Sequence, residues 1–313
     1  MNTYFRRFIL SLFCILFVHQ QLSSQPIIPC EINRTDKREC EIAACMVFKN
    51  EARFIKEWLE YHKCIGISHF YLYNNASTDD VWPILLPYIM RGEVEYFELP
   101  KNTDNVSDHN QLQKDVYNHA VKLAKKSNAW LTIIDSDEFI CMTNNDDLED
   151  FLKDYSDYGG LVINWVMYGS SNVQKLKPDD LQIEKFVYRA PDDWGEHFLY
   201  KSIVRPKYVE KADIHCCKMK KGHKAVYANH QRFSHDPKFE VPPIQEIRIN
   251  HYWWRDEHYF QKVKRPRRSG WLSNYTPNQI NQRREIYNTV YDPSMLPFVK
   301  KTKKNMMKKT QKK

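Results

Sequence analysis

Three acids in four residues interrupt an otherwise apolar stretch: "WLTIIDSDEFI", residues 130–140, carries Asp135, Asp137 and Glu138. Two aspartates one residue apart suit a shared hard divalent cation, because Mg2+ and Mn2+ take carboxylate oxygens and keep open positions for phosphate. A cation held there neutralises the charge that develops on a departing diphosphate. Asp-Ser-Asp alone also describes a solvated loop, so its context decides. Two further polar clusters close apolar runs: Lys49, Asn50 and Glu51 after the first, and "NNASTDD", with Asn75 and Asp79, after the second. Such side chains suit a base and a ribose. Asn50 and Ser77 also suit the caps of the helices that follow, and a cap faces the same crevice.

The elements that must position these residues alternate. Residues 41–50 read as a buried strand, and 50–66 as a helix with Phe54, Trp58, Tyr61 and Ile65 at helical spacing, ended by Gly66. Strands at 67–75, 93–99 and 129–135 are separated by helices at 77–92 and 107–128. This β-α-β-α-β-α-β order predicts a mostly parallel sheet with helices on both faces. Ligands in such sheets bind at the carboxyl ends of the strands, where Asp135 and Asp137 fall. After residue 159 the pattern is mixed. "GGLVINWVMYGSS", "LQIEKFVYRAP" and "FLYKSIVRP" read as strands, and 255–268 as a helix up to Pro266.

The chain has 313 residues and a formal net charge of +8. That excess lies in the last stretch, "KKTKKNMMKKTQKK" (300–313), which reads as a disordered basic tail. Without it the chain is formally neutral, so its body is not an electrostatic nucleic-acid binder. At the other end Arg6 and Arg7 precede an apolar run over 8–18, the form of a signal peptide or an uncleaved signal-anchor over 1–25. Residues 26–40 read as a stem. A secretory location follows as an expectation: a Golgi-type lumen, with type II topology if the segment is an anchor, and membrane contact through that segment or the tail. Seven cysteines lie beyond the leader and would allow up to three disulfides in an oxidising compartment, Cys30 with Cys40 first among them. Sequons occur at Asn33, Asn75, Asn105 and Asn274.

Several blocks together resemble glycosyltransferase family 92 and the wider family 2-like group with the GT-A fold. They are "FKNEARFIKEWLEYHKCIGISHFYLYNNASTDD", "WLTIIDSDEFI", "NWVMYGSS", "KSIVRP" and "INHYWWRDEHYFQKVKRPRR". In order, they span about residues 41–268. The resemblance implies a GT-A-type, Rossmann-like single domain over 41–299, with a nucleotide-sugar half (41–158) and an acceptor half (159–299). It also implies an inverting, metal-dependent transfer of a hexose, for instance galactose, from a UDP-sugar to a glycan hydroxyl. Asp135 and Asp137 then match the DxD motif, with Asp137 on Mn2+ or Mg2+, Asp135 toward the donor and His251 as a third metal ligand or diphosphate contact. Asn50, Glu51, Asn75 and Asp79 line the nucleotide pocket, and Lys201 and Arg205 assist the diphosphate. Ser170, Ser171 and Trp194 fall on the acceptor side. Inversion needs a carboxylate base opposite the donor, and Glu196 or Asp193 in "APDDWGEHF" is expected to supply it.

Competing readings keep the fold but change the activity: a carbohydrate-binding protein without catalysis, or a nucleotide-sugar hydrolase. The cluster His215, Cys216, Cys217, His223, His230 and His235 invites zinc, yet it lacks the paired spacing of structural zinc sites.

Overall fold

Strand β2 (Cys40–Phe48) shows why the sheet lies in the centre of the molecule. Ile42, Ala44, Met46 and Phe48 point into one apolar cluster, and Ala43 and Cys45 into another on the opposite face. A strand covered on both faces needs a continuous apolar run rather than an alternating one. Its parallel neighbour β3 (His69–Asn74) divides the same way, Phe70 and Leu72 to one cluster and Tyr71 and Tyr73 to the other. Helices α1 (Ile55–Cys64) and α2 (Trp82–Met90) cover the first face through Trp58, Leu59, Tyr61, Leu85 and Ile89. Helix α3 (Val106–Ala124) covers the second through Val116, Tyr117, Ala120 and Val121. This computed structural model describes residues 28–29, 40–99, 106–144, 147–267 and 272–307.

The remaining strands are β1 (Ile28–Pro29), β4 (Val94–Glu98), β5 (Asn128–Ile133), β6 (Glu138–Met142), β7 (Gly160–Met167), β8 (Tyr188–Arg189) and β9 (Tyr200–Val204). They are followed by β10 (Val209–Lys211), β11 (Lys218–Met219), β12 (Ala225–Tyr227), β13 (Ile247–His251) and β14 (Val290–Tyr291). The main sheet runs β1-β4-β3-β2-β5-β9-β7-β13-β6, with β12 also on β7. Strands β4, β3, β2 and β5 are parallel, β9 is antiparallel to both β5 and β7, and β13 lies parallel to β7 and antiparallel to β6. The mixed α/β domain thus has one main sheet, with β10–β11 and β14–β8 as separate two-stranded pairs, and the β5–β9 pairing joins its regular half to its mixed half. That register also decides what shares an edge. The carboxyl ends of β2, β3, β5, β7 and β13 lie together with the start of β9, because Ser202 sits opposite Ile133, Tyr200 opposite Asn164, and His251 opposite Met167.

Several local expectations change. "LQIEKFVYRAP" is not a strand: it forms the short helix α5 (Gln182–Lys185) and only the two residues of β8. Buried Glu57 of α1 explains the turn, since its Oε1 accepts from Ile183 N at 3.0 Å and its Oε2 from Gln182 Nε2 at 3.5 Å. The stretch after β13 is helical, but as α6 (Glu257–Tyr259), a π-helical turn (Phe260–Lys264) and α7 (Arg265–Arg267). Helices α4 (Leu148–Leu152) and α8 (Pro277–Ile286) also occur among the described residues.

The basic tail is ordered over its first half. Helix α9 (Leu296–Met307) packs against α1: Thr302 is buried 3.9 Å from the Cys64 thiol, Lys301 donates to the Cys64 carbonyl at 2.9 Å, and Lys303 pairs with Glu184 at 2.7 Å. Its packing face includes Phe298, Val299 and Met306, but the helix begins ahead of residue 300, so the lysine-rich stretch read alone conceals the periodicity. Residues 308–313 lie outside the described residues, as do the leader, Cys30 and the sequons at Asn33 and Asn105. Cys45, Cys64, Cys141, Cys216 and Cys217 are free thiols, which removes disulfides among these five. The Asn75 side chain is buried, which closes that sequon to a glycan, whereas Asn274 is exposed. No helix among the described residues is long and apolar enough to cross a membrane.

Burial raises the Glu57 carboxyl to about 7. Its folded value lies above the unfolded value of about 4.3, so the folded state binds the extra proton, and stability falls as pH rises from about 4 through 7. Glu57→Gln keeps an acceptor for Ile183 N and removes that titration. The variant is expected to match the wild type near pH 4 and to exceed it by about 1–3 kcal/mol at pH 8, read from urea melts at the two pH values.

Candidate active site

The chain leaves β5 at Ile133 and returns at β6, and the intervening turn carries Asp135, Ser136 and Asp137. Both ends are pinned. Ile134 N donates to the Cys45 carbonyl at 3.2 Å, Glu138 N donates to the Asp135 carbonyl at 3.1 Å, and Tyr252 N donates to the Asp137 carbonyl at 2.8 Å. The two carboxylates therefore have fixed origins on the sheet edge.

Each meets a buried lysine. Lys201, at the start of β9, donates to Asp135 Oδ2 at 3.0 Å and lies 3.6 Å from Glu138 Oε2. Lys264, from the π-helical turn, donates to Asp137 Oδ2 at 2.5 Å. His251 Nε2 lies 3.5 Å from the other oxygen, Asp137 Oδ1. The Asp135 side chain keeps 33% of its surface open, against 10% for Asp137 and none for Glu138, so Asp135 is the acid of the three that a ligand reaches most easily.

The electrostatics separate three carboxyls into different roles. Burial pushes the Glu138 carboxyl well above the ordinary range against the pull of Lys201, and neighbouring Asp135 adds to the rise. Burial also opposes charge on Asp135, but Lys201 outweighs it and keeps the group low. Asp137 is held further down: burial works against it, and Lys264 foremost overcomes that. Burial lowers His251 against the pull of Asp137. A neutral imidazole is the form that ligates a metal, and Lys264 rather than a charged His251 then carries the effect on Asp137.

The donor set fits a hard divalent cation. Oδ1 of Asp137 and Nε2 of His251 are 3.5 Å apart, against about 3.0 Å between adjacent ligands that each lie about 2.1 Å from an octahedral ion, so a small side-chain shift would bring both onto one cation. His251 Nδ1 is buried without a hydrogen-bond partner among the described residues. Among the described residues no third histidine, cysteine or acid joins them in one cluster.

Arg255, which reaches Ser136 and lies over the Phe54 and Tyr259 rings, connects this turn to the wall of a cavity of about 480 Å³, lined by Asn50, Phe54, Thr78, Asp79, Tyr259 and Arg267 among others. Asn50 is in a left-handed conformation (φ 56°), which aims it across to the next strand end rather than onto its own helix. Its Oδ1 accepts from Thr78 N at 2.6 Å, and its N donates to Ser77 Oγ at 2.9 Å. Neither Asn50 nor Ser77 caps the following helix: the residues at those positions are Phe54 and Val81. Asp79 Oδ2 accepts from Ala52 N at 2.7 Å, and its Oδ1 is buried with no hydrogen-bond partner. Phe54 and Tyr259 form an edge-to-face pair, centroids 5.3 Å apart. This wall offers an aromatic surface, an amide and a carboxylate with spare acceptor capacity.

Not every expected residue belongs here. Glu51 is buried behind the wall, where it pairs with Arg255 at 2.8 Å and Arg267 at 3.3 Å. Asn75 is buried outside the cavity lining. Arg205 lies at the far end of β9 from Lys201, roughly 13 Å along the strand, with its guanidinium on the Ser156 carbonyl and over the Trp130 ring. It cannot share a diphosphate with Lys201. Ser170 and Ser171 hold their own turn rather than offering hydroxyls outward. Ser170 Oγ donates to Glu257 at 2.6 Å, and Ser171 Oγ accepts from Val187 N and Tyr188 N at 2.8 and 3.0 Å. A Cβ on preceding Gly169 would come 2.5 Å from the Asn288 side chain, so only glycine permits that approach. Glu196 is engaged at both oxygens: Arg283 grips Oε1 at 3.0 and 3.1 Å, and Tyr287 OH and Trp194 Nε1 donate to Oε2. An acceptor proton would have to break that cluster first. Trp194 packs beside Tyr287 as part of it, and Asp193 in the same loop is exposed. In the histidine-rich segment, His223 and His230 are stacked on Tyr208 and Tyr155, and His235 meets the Tyr200 hydroxyl.

Two residues at the site escape a reading of motifs, Lys264 and Arg255, and so do the partners of Glu138 and Trp165. Arg255 links Glu51 to the Ser136 hydroxyl, and the Trp165 ring lies 4.4 Å from that of His251. The available signal was a charge next to buried apolar positions, Lys264 after Tyr259, Phe260 and Val263, and Glu138 before "FICM".

Comparison with known proteins follows the same ground. The chain matches the model of glycosyltransferase family 92 over residues 41–262. A family 92 protein of Oryza sativa subsp. japonica is 29% identical over 124 residues, 37% of this chain and 18% of the relative. One of Ricinus communis is 23% identical over 265 residues, 79% of this chain and 40% of the relative. The chain thus spans well under half the length of either. Among solved structures, S. aureus TarS 1-349 in complex with UDP-GlcNAc is 16% identical with a TM-score of 0.36, over 54% of this chain and 46% of that one. The mannosyltransferase PcManGT from Pyrobaculum calidifontis, in complex with GDP-Man and Mn2+, is 11% identical with a TM-score of 0.37, over 94% and 75%.

Proposed function

This chain belongs to glycosyltransferase family 92, and from that premise we propose that it transfers a sugar from a nucleotide-sugar to a glycan hydroxyl with inversion. The observation that carries this reading is the convergence of Asp135, Asp137 and His251 on one sheet edge, beside the cavity that Asn50, Asp79 and Tyr259 line. The base and ribose occupy that cavity, with the Asp79 Oδ1 as acceptor for a ribose hydroxyl or ring N–H. Asp137 and His251 hold a divalent cation, Mn2+ or Mg2+, which supplies Lewis-acid neutralisation of the leaving diphosphate. Asp135, the more open carboxylate, orients the donor, and Lys201 keeps it charged and in place.

In the transfer, the bond from the anomeric carbon to the diphosphate oxygen breaks as the acceptor oxygen bonds to the opposite face of that carbon. The acceptor proton passes to a carboxylate on the acceptor side. Asp193 is the exposed acid of its loop and is placed in that role ahead of Glu196, whose oxygens are occupied. The donor in this reading is a UDP-hexose, with galactose the first to test. The setting is a secretory lumen that holds nucleotide-sugars, reached through the N-terminal segment.

The full chain, incubated with UDP-sugars, mixed glycans and either Mn2+ or EDTA, is expected to release UDP only with acceptor and metal together. Release without acceptor would identify a hydrolase. Glycan binding with no release from any donor would identify a binding protein. Use of the full chain is required, because α9 beyond residue 299 is part of the packed body.

A further inference from the structure

Lys264 brings a buried positive charge to the Asp135–Asp137 turn. Its side chain is 8% exposed, its ammonium lies 2.5 Å from Asp137 Oδ2, and the same ammonium is 5.0 Å from the Trp253 ring centroid. It comes from the final position of a five-residue π-helical turn, a geometry that recurs at functional sites because it shifts a side chain by one register step. Asp137 therefore has two different neighbours on its two oxygens: the Lys264 ammonium on Oδ2, and on Oδ1 an imidazole that can share an ion.

We propose that Lys264 is the resident counter-ion of Asp137 and that a divalent cation entering between Asp137 and His251 must compete with its ammonium. The proposal rests on the cation reading given above. Two like charges on one buried carboxylate repel strongly. The lysine keeps Asp137 ionised and fixed while the site waits, and it lowers the affinity for a bare cation. A cation that arrives with a nucleoside diphosphate brings compensating negative charge and meets less opposition. Lys264 is in this sense a positioning residue that sets cation affinity, and no bond to substrate is assigned to it.

The test is Mn2+ binding to the full chain, with free Mn2+ read by electron paramagnetic resonance and no donor present. Lys264→Met is expected to bind Mn2+ about tenfold or more tightly than wild type. Lys264→Arg, which keeps the charge, should stay near wild type, and Asp137→Asn should lose the site. A merely structural role for Lys264 would weaken Mn2+ binding on truncation, not tighten it. Unchanged or weaker binding by Lys264→Met, with the site still lost in Asp137→Asn, overturns the proposal and leaves the cation reading standing. No binding by wild type or by Lys264→Met overturns both. Should Lys264→Met fail to fold, wild-type protein is labelled with an amine-acetylating reagent and analysed by mass spectrometry, with exposed Lys153 as reference. Faster labelling of Lys264 with Mn2+ than with EDTA supports displacement, and equal labelling overturns it.

Discussion

Asp137→Asn is expected to reduce transfer by about 10³-fold or more while the protein stays folded. The amide has the shape of the carboxylate and still accepts from Lys264, so the 130–140 turn keeps its origins on β5 and β6. What disappears is the negative charge that balances Lys264 and that, in the proposed reaction, would ligate a cation. The stability cost should remain below the about 3–5 kcal/mol of leaving a buried lysine wholly unpaired. The measurement is acceptor-dependent release of nucleoside diphosphate at saturating Mn2+, with a urea melt on the same sample. Turnover within tenfold of wild type would remove Asp137 from the centre of the site, and the cation with it. Loss of activity together with loss of the cooperative melt would show only that the acid is structural.

Lys201→Met should instead act first on stability. Its ammonium is fully buried between Asp135 and Glu138, at 3.0 and 3.6 Å. Burial works against that charge, but Asp135 and then Glu138 outweigh it and raise the lysine above its usual range. Removing one partner of a buried pair strands the other, so the expected loss is about 3–5 kcal/mol near pH 7. The pH dependence follows from the signs of the shifts. Asp135 is depressed in the fold, so its contribution is present above its unfolded value of about 3.9 and is lost as pH falls through the folded value. Lys201 is raised, so its contribution is complete below about 10.4 and is lost as pH rises through the folded value. The gap between wild type and variant should therefore be widest where Asp135 and Lys201 are both charged, and should close in stronger acid as Asp135 is protonated. A difference below about 1 kcal/mol at pH 7 would mean that solvent already screens the pair.

Glu196 illustrates how a residue type misleads when its neighbours are unknown. A carboxylate on a loop before a strand, in the half expected to bind acceptor, has the composition of a base. Arg283 and Tyr287, from α8 and the residue just after it, turn it into an anchor instead. Arg205 fails for a simpler reason. It is four residues from Lys201 in "KSIVR", and four residues of extended chain carry it to the other edge of the sheet. The basic tail fails because charge composition was read without the residues ahead of it, and Leu296 to Val299 begin the helix that the lysines continue.

The amino-acid order by itself determined the parallel half of this protein: apolar runs of strand length, separated by amphipathic helices, leave little choice but a sheet buried on both faces. It also located the turn that carries Asp135 and Asp137, since the place where a core strand meets polar residues is a local property, and it carried the family resemblance. Only the tertiary structure decided which charges meet. Lys264 is 127 residues from Asp137, and Arg255 is 119 from Ser136. Strand register and helix packing bring such groups together, and nothing in the local sequence records those distances. Because the interaction of two charges depends on their separation and burial in space rather than on their spacing along the chain, the state of each acid was settled by the fold.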